Sequence, residues 1–200
     1  MNGIQIGRLL RASTSEFVVG CHVSQMEAPA LGALVRAPLG DGYQVYGLIH
    51  DIHIEDDGLV RQLVTSEGVD EAVIADNRMN RNVPVEISVL TLGYRQGERV
   101  RHLLPPRPPL SLDVIHLCDL AELRDFTAKG RFGYFRHILR ARDLPVGELL
   151  AAHFEQAQEA HASTGDHEWS QRATKELITL LRDDYQTLMS VLSTIAEVSV

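Results

Sequence analysis

The sequence predicts an α+β protein, in which a small closed six-stranded β-barrel is followed by an α-helical C-terminal region. Apolar and polar residues alternate along the first half of the 200-residue chain, as they do in half-buried strands. A proline-rich run then ends this pattern, because proline cannot donate to a strand ladder. Beyond it, apolar residues recur every three or four positions, as on one face of a helix. We therefore expect a barrel domain over 1–104, a proline-rich linker with a short extended segment over 105–118, and an α-helical tail over 119–200.

The predicted strands are short and follow one another closely. In the second strand, Phe17, Val19, Cys21 and Val23 share one apolar face. The six strands cover about 4–12, 16–23, 33–37, 46–54, 59–65 and 83–89. We expect the sheet to close on itself, since an open sheet would leave two unpaired edges.

The fourth and fifth predicted strands are separated by a tight turn. Asp56, Asp57 and Gly58 supply the residue types of such a turn, and a terminal glycine accepts a positive φ. The sequence therefore predicts a hairpin between 46–54 and 59–65. In the first of these strands, an apolar face is expected at Tyr46, Leu48, Ile52 and Ile54.

Two helices are predicted in the tail. In the first, apolar residues from Val146 to Ala157 share one face, Asp143 is the expected cap and Pro145 lies in the first turn. The second runs for about 30 residues from Asp166. The break at 163–165 between them predicts a helical hairpin. The apolar stripe of the second helix supplies either helix-packing contacts within the chain or, in an intermolecular bundle, oligomer contacts. Its candidate contact residues are Trp169, Leu177, Leu181, Leu188, Leu192 and Ile195.

Composition limits the function classes. The chain has 19 basic and 27 acidic residues and a net charge of −8, which disfavours a protein whose whole surface binds phosphate backbone. Cys21 and Cys118 lie far apart in the sequence, so we expect reduced thiols. No apolar run of about 18 residues suggests a membrane span. We expect a soluble cytoplasmic protein without a membrane partner.

One segment departs from the acidic average. Residues 124–142 carry six basic residues and one acidic residue, and aromatic residues lie between them. Arginine binds phosphates and carboxylates through paired hydrogen bonds, and aromatic rings stack on bases. The candidate contacts to a partner or anion are Lys129, Arg131, Phe132, Tyr134, Arg136, Arg140 and Arg142. The alternative places Phe132, Phe135 and Leu139 in the core and the arginines on a solvated face.

The remaining polar residues do not form a recognisable reaction centre. His50 and His53 point to opposite faces of a regular strand, and His161 and His167 lack the spacing of a helical zinc site, so surface positions are expected. Ser13 lies in a turn without the surroundings of a nucleophile elbow. We predict a non-enzymatic protein with no catalytic residue, metal or cofactor.

Short glycine-based motifs give the first half a family resemblance. The motifs are Ile6-Gly7-Arg8-Leu9-Leu10, Ser13-Thr14-Ser15-Glu16-Phe17, Leu31-Gly32-Ala33-Leu34-Val35 and Tyr46-Gly47-Leu48-Ile49. Together they resemble the HAS barrel, the N-terminal barrel of HerA-type hexameric ATPases and of rotary ATP synthase head subunits. Leu104-Pro105-Pro106-Arg107-Pro108-Pro109-Leu110 is similar to the proline-rich exit of HerA-type barrels. The resemblance covers about residues 3 to 115.

The ATPase part of those families does not follow in this sequence. No glycine after the prolines is followed by Lys-Ser or Lys-Thr, as a phosphate-binding loop requires. The resemblance therefore implies a non-catalytic module that oligomerises or docks onto a protein partner, such as a HerA-type ring ATPase in DNA processing. The alternative is a nucleic-acid-binding accessory factor that uses residues 124–142.

Overall fold

The computed structural model describes residues 4–23, 29–54, 65, 71–72 and 83–198. The strands within these ranges are β1 (Gln5–Ala12), β2 (Glu16–Val23), β3 (Leu34–Pro38), β4 (Tyr43–Ile54), β5 (Val83–Gln96), β6 (Arg99–Arg101) and β7 (Val114–Leu117). The α-helices are α1 (Leu120–Thr127), α2 (Phe135–Arg140), α3 (Val146–Ala162), α4 (Trp169–Leu180) and α5 (Tyr185–Val198).

Six antiparallel strands form a closed barrel, which confirms the predicted fold class. The order of neighbours is β2-β1-β7-β3-β4-β5, and β2 pairs with β5 to complete the ring. β6 lies outside this ring and extends β5 as a short hairpin partner. Closure leaves each of the six strands paired on both sides, so the barrel itself has no free edge.

The sixth strand of the barrel is β7, which lies within the segment 105–118 that was predicted outside the barrel domain. It fits between β1 and β3, with Val114 opposite Arg8 and Leu117 opposite Val35. The predicted hairpin at 56–58 and the strand 59–65 lie outside the described residues, except Thr65, which is helical. The strand paired with β4 is β5, from Tyr43 opposite Gln96 to Ile54 opposite Val85.

The buried residues form two cores, one inside the barrel and one between the barrel and the helices. The interior core is made by residues such as Phe17, Val19, Val35, Ile49 and Ile87, each at most 1% exposed. The second core joins the outer face of β3, β4 and β5 to the helices. Its barrel members are Leu34, Tyr46, Leu48 and Leu92.

β4 is buried on both faces, and this corrects its predicted apolar face. Tyr46 and Leu48 pack against the helices, whereas Val45 and Ile49 fill the barrel interior. An irregularity in register between Ile49 and Asp51 then interrupts the alternation. Ile54, which was predicted on the face of Tyr46, is 44% exposed.

The helical tail differs from the prediction at two points. Asp143 has a φ of +59° and does not cap α3, which begins at Val146 after Pro145. The expected 30-residue helix is divided into α4 and α5, because Asp184 accepts hydrogen bonds from the backbone N–H and the hydroxyl of Thr187 and so starts a new helix. The predicted break between α3 and α4 is present, with Gly165 at a φ of +86°.

Candidate interaction site at the basic segment

α1 is held on the barrel by ion pairs, and it positions the basic segment that follows it. Asp119 and Glu122 form a capping box at the start of α1. Glu122 also pairs with the nearly buried Arg36 of β3, at 2.6 Å between Oε1 and Nε. Further along the helix, Asp125 pairs with Arg95 of β5. These contacts fix the direction in which the chain leaves α1.

A left-handed turn connects α1 to α2. Gly130, Arg131 and Phe132 have consecutive φ angles of +63°, +47° and +55°. Non-glycine residues in this region cost of order 1 kcal/mol each, and such strain is concentrated at functional sites. The turn directs Arg131 into solvent, while Phe132 stacks on Phe135 with ring centres 5.5 Å apart.

The aromatic residues of the segment belong to the core. Tyr134 and Phe135 are fully buried, and Phe132 is partly buried against Trp169. Leu139 also packs against this core. The structure therefore favours the alternative placement of the aromatic residues, and Tyr134 is not accessible for contact with a partner, contrary to expectation.

The basic residues of the segment separate into anchored and free side chains. Arg136 is partly buried and donates a hydrogen bond to the backbone carbonyl of His102. Lys129 pairs with Asp125 at 2.7 Å. Three arginines are exposed and have no ion pair within the described part of the chain, namely Arg131, Arg140 and Arg142.

His102 links β6 to the basic segment. Its Nε2 lies 3.0 Å from the backbone carbonyl of Phe126, so Nε2 carries the proton and donates it to that oxygen. Burial lowers the pKa of His102 to about 4, and the nearby Arg136 and His137 act in the same direction. The ring is therefore neutral at physiological pH and serves as a packing element against Gly130.

A second neutral histidine joins the helices to the loop before β3. Nδ1 of His153 lies 3.3 Å from the carbonyl of Gly32, and Nε2 lies 3.1 Å from the Tyr134 hydroxyl. Gly32 has a φ of +75°, and a Cβ there would lie 2.7 Å from the backbone nitrogen of His153. A glycine motif of the barrel thus allows α3 to approach closely.

Asp166, His161 and Thr127 form a hydrogen-bonded chain that sequence reasoning did not find. His161 Nδ1 lies 3.0 Å from Asp166 Oδ2, and His161 Nε2 lies 2.8 Å from Thr127 Oγ1. The order of groups matches a hydroxyl-histidine-carboxylate triad. Thr127 is only 1% exposed and also bonds to the Leu123 carbonyl, so the hydroxyl has no route to a substrate. These two hydrogen bonds therefore connect α1, α3 and the turn before α4.

His161 was predicted at the surface, and that prediction is wrong. It is 1% exposed and stacks on Trp169, with ring centres 5.0 Å apart. Burial lowers its pKa, although the carboxylate of Asp166 opposes this effect. The sequence signal was weak, because Thr127 lies 34 residues away from His161. His167, by contrast, is exposed.

The predicted apolar stripe of the tail is largely inside the chain's own core. Trp169, Leu177, Leu181 and Ile195 are buried in the core between barrel and helices. Leu188 is partly buried against the same core, and Leu192 is half-buried. All of these positions except Leu192 therefore make helix-packing contacts within one chain.

A cavity beside the proline-rich segment is a further candidate site. A cavity of about 350 Å³ lies beside the proline-rich segment and is lined by Pro38, Leu39, Arg107, Pro108, Leu110 and Asp113. Arg107 stacks over the ring of Tyr43 at 5.5 Å, so its charge is already in contact with the barrel. Among the described residues, no cluster of His, Cys, Asp or Glu has the composition of a metal site. Within the same ranges, no helix has the length and apolarity that crossing a bilayer requires.

Comparison with known proteins does not assign a family. No protein-family model matches the chain, and no curated protein matches it.

Proposed function

We propose that this protein is a non-catalytic docking module that binds an acidic surface of a partner protein through its basic face. We define the basic face as the exposed arginines Arg131, Arg140 and Arg142. The observation that supports this proposal is the strained turn at 130–132, which directs Arg131 outward while it buries Phe132. Phe132 gains core contacts in this conformation, whereas the exposed Arg131 has no packing contact among the described residues that would explain a non-glycine residue at a positive φ.

Charge supports the same proposal. The segment 124–142 is net positive in a chain with a net charge of −8, so an acidic partner is attracted at this segment and repelled by the net negative remainder of the chain. No carboxylate in the described part of the chain pairs with Arg131, Arg140 or Arg142, so each can pair with a carboxylate of a partner protein. Arginine is suited to this role, because its planar group binds carboxylates through two hydrogen bonds.

The closed barrel is compatible with the HAS-barrel resemblance, and barrels of that family form the collar of ring ATPases. We propose that the module docks onto such a ring ATPase in DNA processing. The alternative, single-stranded nucleic acid, is weakened by the burial of Tyr134, since stacking needs an accessible ring.

The test compares two charge-reversed variants with the same change in net charge. The first carries Arg131→Glu, Arg140→Glu and Arg142→Glu. The control carries Arg99→Glu, Lys175→Glu and Arg182→Glu, which are also exposed. Binding to purified candidate ring ATPase, to a glutamate-rich peptide and to a labelled single-stranded oligonucleotide is measured by fluorescence anisotropy at low and high salt.

We expect the wild type and the control to bind the ATPase and the acidic peptide, and the basic-face variant to lose at least about tenfold in affinity. Equal binding by both variants would show that the basic face is not used. Binding to the oligonucleotide alone would replace the protein partner with nucleic acid.

A further inference from the structure

α5 has a second apolar surface besides the one that enters the core. Val191 and Ile195 are buried against the other helices. On an adjacent flank lie four residues at spacings of i, i+4, i+7 and i+11, which share one side of a helix. This flank, which we call the α5 stripe, consists of Tyr185, Met189, Leu192 and Ala196.

The α5 stripe is accessible. Tyr185 is 72% exposed and Met189 is 44% exposed. The helix packs on α3 through a different side, where a Cβ added to Gly147 would lie 3.0 Å from Thr194 Oγ1. Large apolar side chains of this kind mark association surfaces when they are contiguous.

The charge of α5 indicates what covers this stripe. In a chain of net charge −8, α5 contains one charged residue, Glu197. Two copies of the chain can therefore meet along α5 without placing like charges in the centre of the contact.

The order of side chains along the stripe is self-complementary. We infer that two copies of the chain pair through their α5 stripes, with the helices antiparallel about a two-fold axis midway between residues 190 and 191. In that register Tyr185 faces Ala196 of the second copy, and Met189 faces Leu192 of the second copy. The largest side chain thus meets the smallest one, as well-packed interfaces require.

The expected dimer is weak. A helix of 14 residues is about 21 Å long, so the contact is at the small end of specific interfaces, with dissociation constants in the micromolar range. Ile178 and Leu180 near the end of α4 are each 43% exposed and add apolar area next to the start of α5. This inference does not depend on the basic face, so it stands or fails separately from the proposed docking function.

The first test is sedimentation velocity of the full chain from about 1 μM to about 500 μM. We expect a reversible monomer–dimer equilibrium. Met189→Lys should raise the dissociation constant at least about 100-fold, because two lysines would be desolvated in one interface. Ser193→Lys is the matched control, since it adds the same charge on the exposed polar side of α5.

The second test addresses the register. Ala196→Tyr should abolish the dimer, because Tyr185 would then face a second tyrosine. The double variant Tyr185→Ala, Ala196→Tyr restores one large and one small partner and should restore the dimer. Circular dichroism checks that each variant is folded, and Met189→Gln replaces Met189→Lys if the latter is not. A monomeric wild type at every concentration, a dimer that Met189→Lys and Met189→Gln leave unchanged, or a failed restoration would each overturn the inference.

Discussion

The Tyr134 hydroxyl donates a hydrogen bond to Nε2 of His153 at 3.1 Å, and both side chains are fully buried. Nδ1 of the same imidazole donates to the carbonyl of Gly32. This contact connects the basic segment, α3 and the loop before β3. Because Nδ1 carries the proton, Nε2 must accept one, and Tyr134 is its donor.

Replacing Tyr134 with phenylalanine tests the value of this hydrogen bond. The change leaves Nε2 of His153 buried without a donor, so we expect the free energy of unfolding to fall by about 1–3 kcal/mol. Urea titration measures the difference. Tyr185→Phe is the control at about 1 μM, where the chain is expected to be monomeric, because Tyr185 is 72% exposed. Equal stability of the two variants would contradict the assigned hydrogen bond.

The buried histidines predict a loss of stability in mild acid. Burial lowers the pKa of His102 to about 4 and that of His153 to about 4, from an ordinary value of 6.5. Between these values the unfolded chain binds more protons than the folded chain, so stability rises with pH. The contribution is complete above about pH 6.5 and is lost as the pH falls to about 4, with a limit of about 3 kcal/mol per histidine.

Urea unfolding at a series of pH values measures this dependence, and NMR titration of the imidazole protons assigns it. A free energy of unfolding that stays constant between about pH 7.5 and pH 5 would show that these histidines titrate normally. Variants with glutamine at 102 or 153 should have a shallower slope than the wild type.

The Arg36–Glu122 ion pair predicts a coupling between the barrel and α1. Arg36 is 9% exposed, so removing it leaves the charge of Glu122 without its partner in a partly buried position. We expect Arg36→Met to lower the free energy of unfolding by about 1–3 kcal/mol. Glu122→Gln should lower it much less in the Arg36→Met variant than in the wild type. A double-mutant cycle by chemical denaturation gives the interaction energy, and a value below about 0.5 kcal/mol would refute the coupling.

Alanine substitution at two glycines with nearly equal φ angles distinguishes the cost of a steric clash from the cost of backbone strain. Gly130 has a φ of +63°, and a Cβ there would lie 2.6 Å from His102 Nδ1. Gly97 has a φ of +58°, and a Cβ there would meet no atom within 4 Å. We expect Gly97→Ala to lower the free energy of unfolding by about 1 kcal/mol through backbone strain alone. Gly130→Ala should lower it distinctly more, because the clash with His102 is added. Thermal and urea unfolding of both variants gives the comparison, and equal losses would exclude a close contact at His102.

Arg131 predicts opposite effects on stability and binding. Asparagine tolerates the left-handed conformation, so Arg131→Asn should raise the free energy of unfolding by up to about 1 kcal/mol. The same change should weaken binding to an acidic partner. Arg140 lies in α2, and asparagine has a lower helix propensity than arginine. Arg140→Asn should therefore lower the free energy of unfolding by a few tenths of a kcal/mol. A destabilised Arg131→Asn variant would mean that the turn is not strained.

The sequence predicted most of the barrel, because local alternation marks five of its six strands. The two longest strands extend beyond their predicted bounds, β4 by three residues at its start and β5 by seven at its end. β2 has the predicted bounds, and β1 and β3 differ from theirs by one residue. β7 was missed, since four residues that include His116 carry little alternation. Its position depends on pairing with β1 and β3, which are more than 75 residues away in the chain.

The candidate site was only partly predictable. Phe132 was a candidate partner contact, and the alternative placed Phe132, Phe135 and Leu139 in the core, where the structure has them. The pairing of His153 with Tyr134 and of His161 with Thr127 joins different helices, which periodicity within one helix cannot reveal. Asp184 interrupted the stripe of the last predicted helix, and the structure shows the reason, since this residue starts α5.

The place of β7 in the barrel has a consequence for biosynthesis. The strand that joins β1 to β3 is translated about a hundred residues after β1. Before β7 is translated, the sheet cannot close. The edges of β1 and β3 that later pair with β7 then expose backbone amides and carbonyls to other chains. The pairing of Val114–Leu117 with β1 and β3 is therefore the step that closes the barrel.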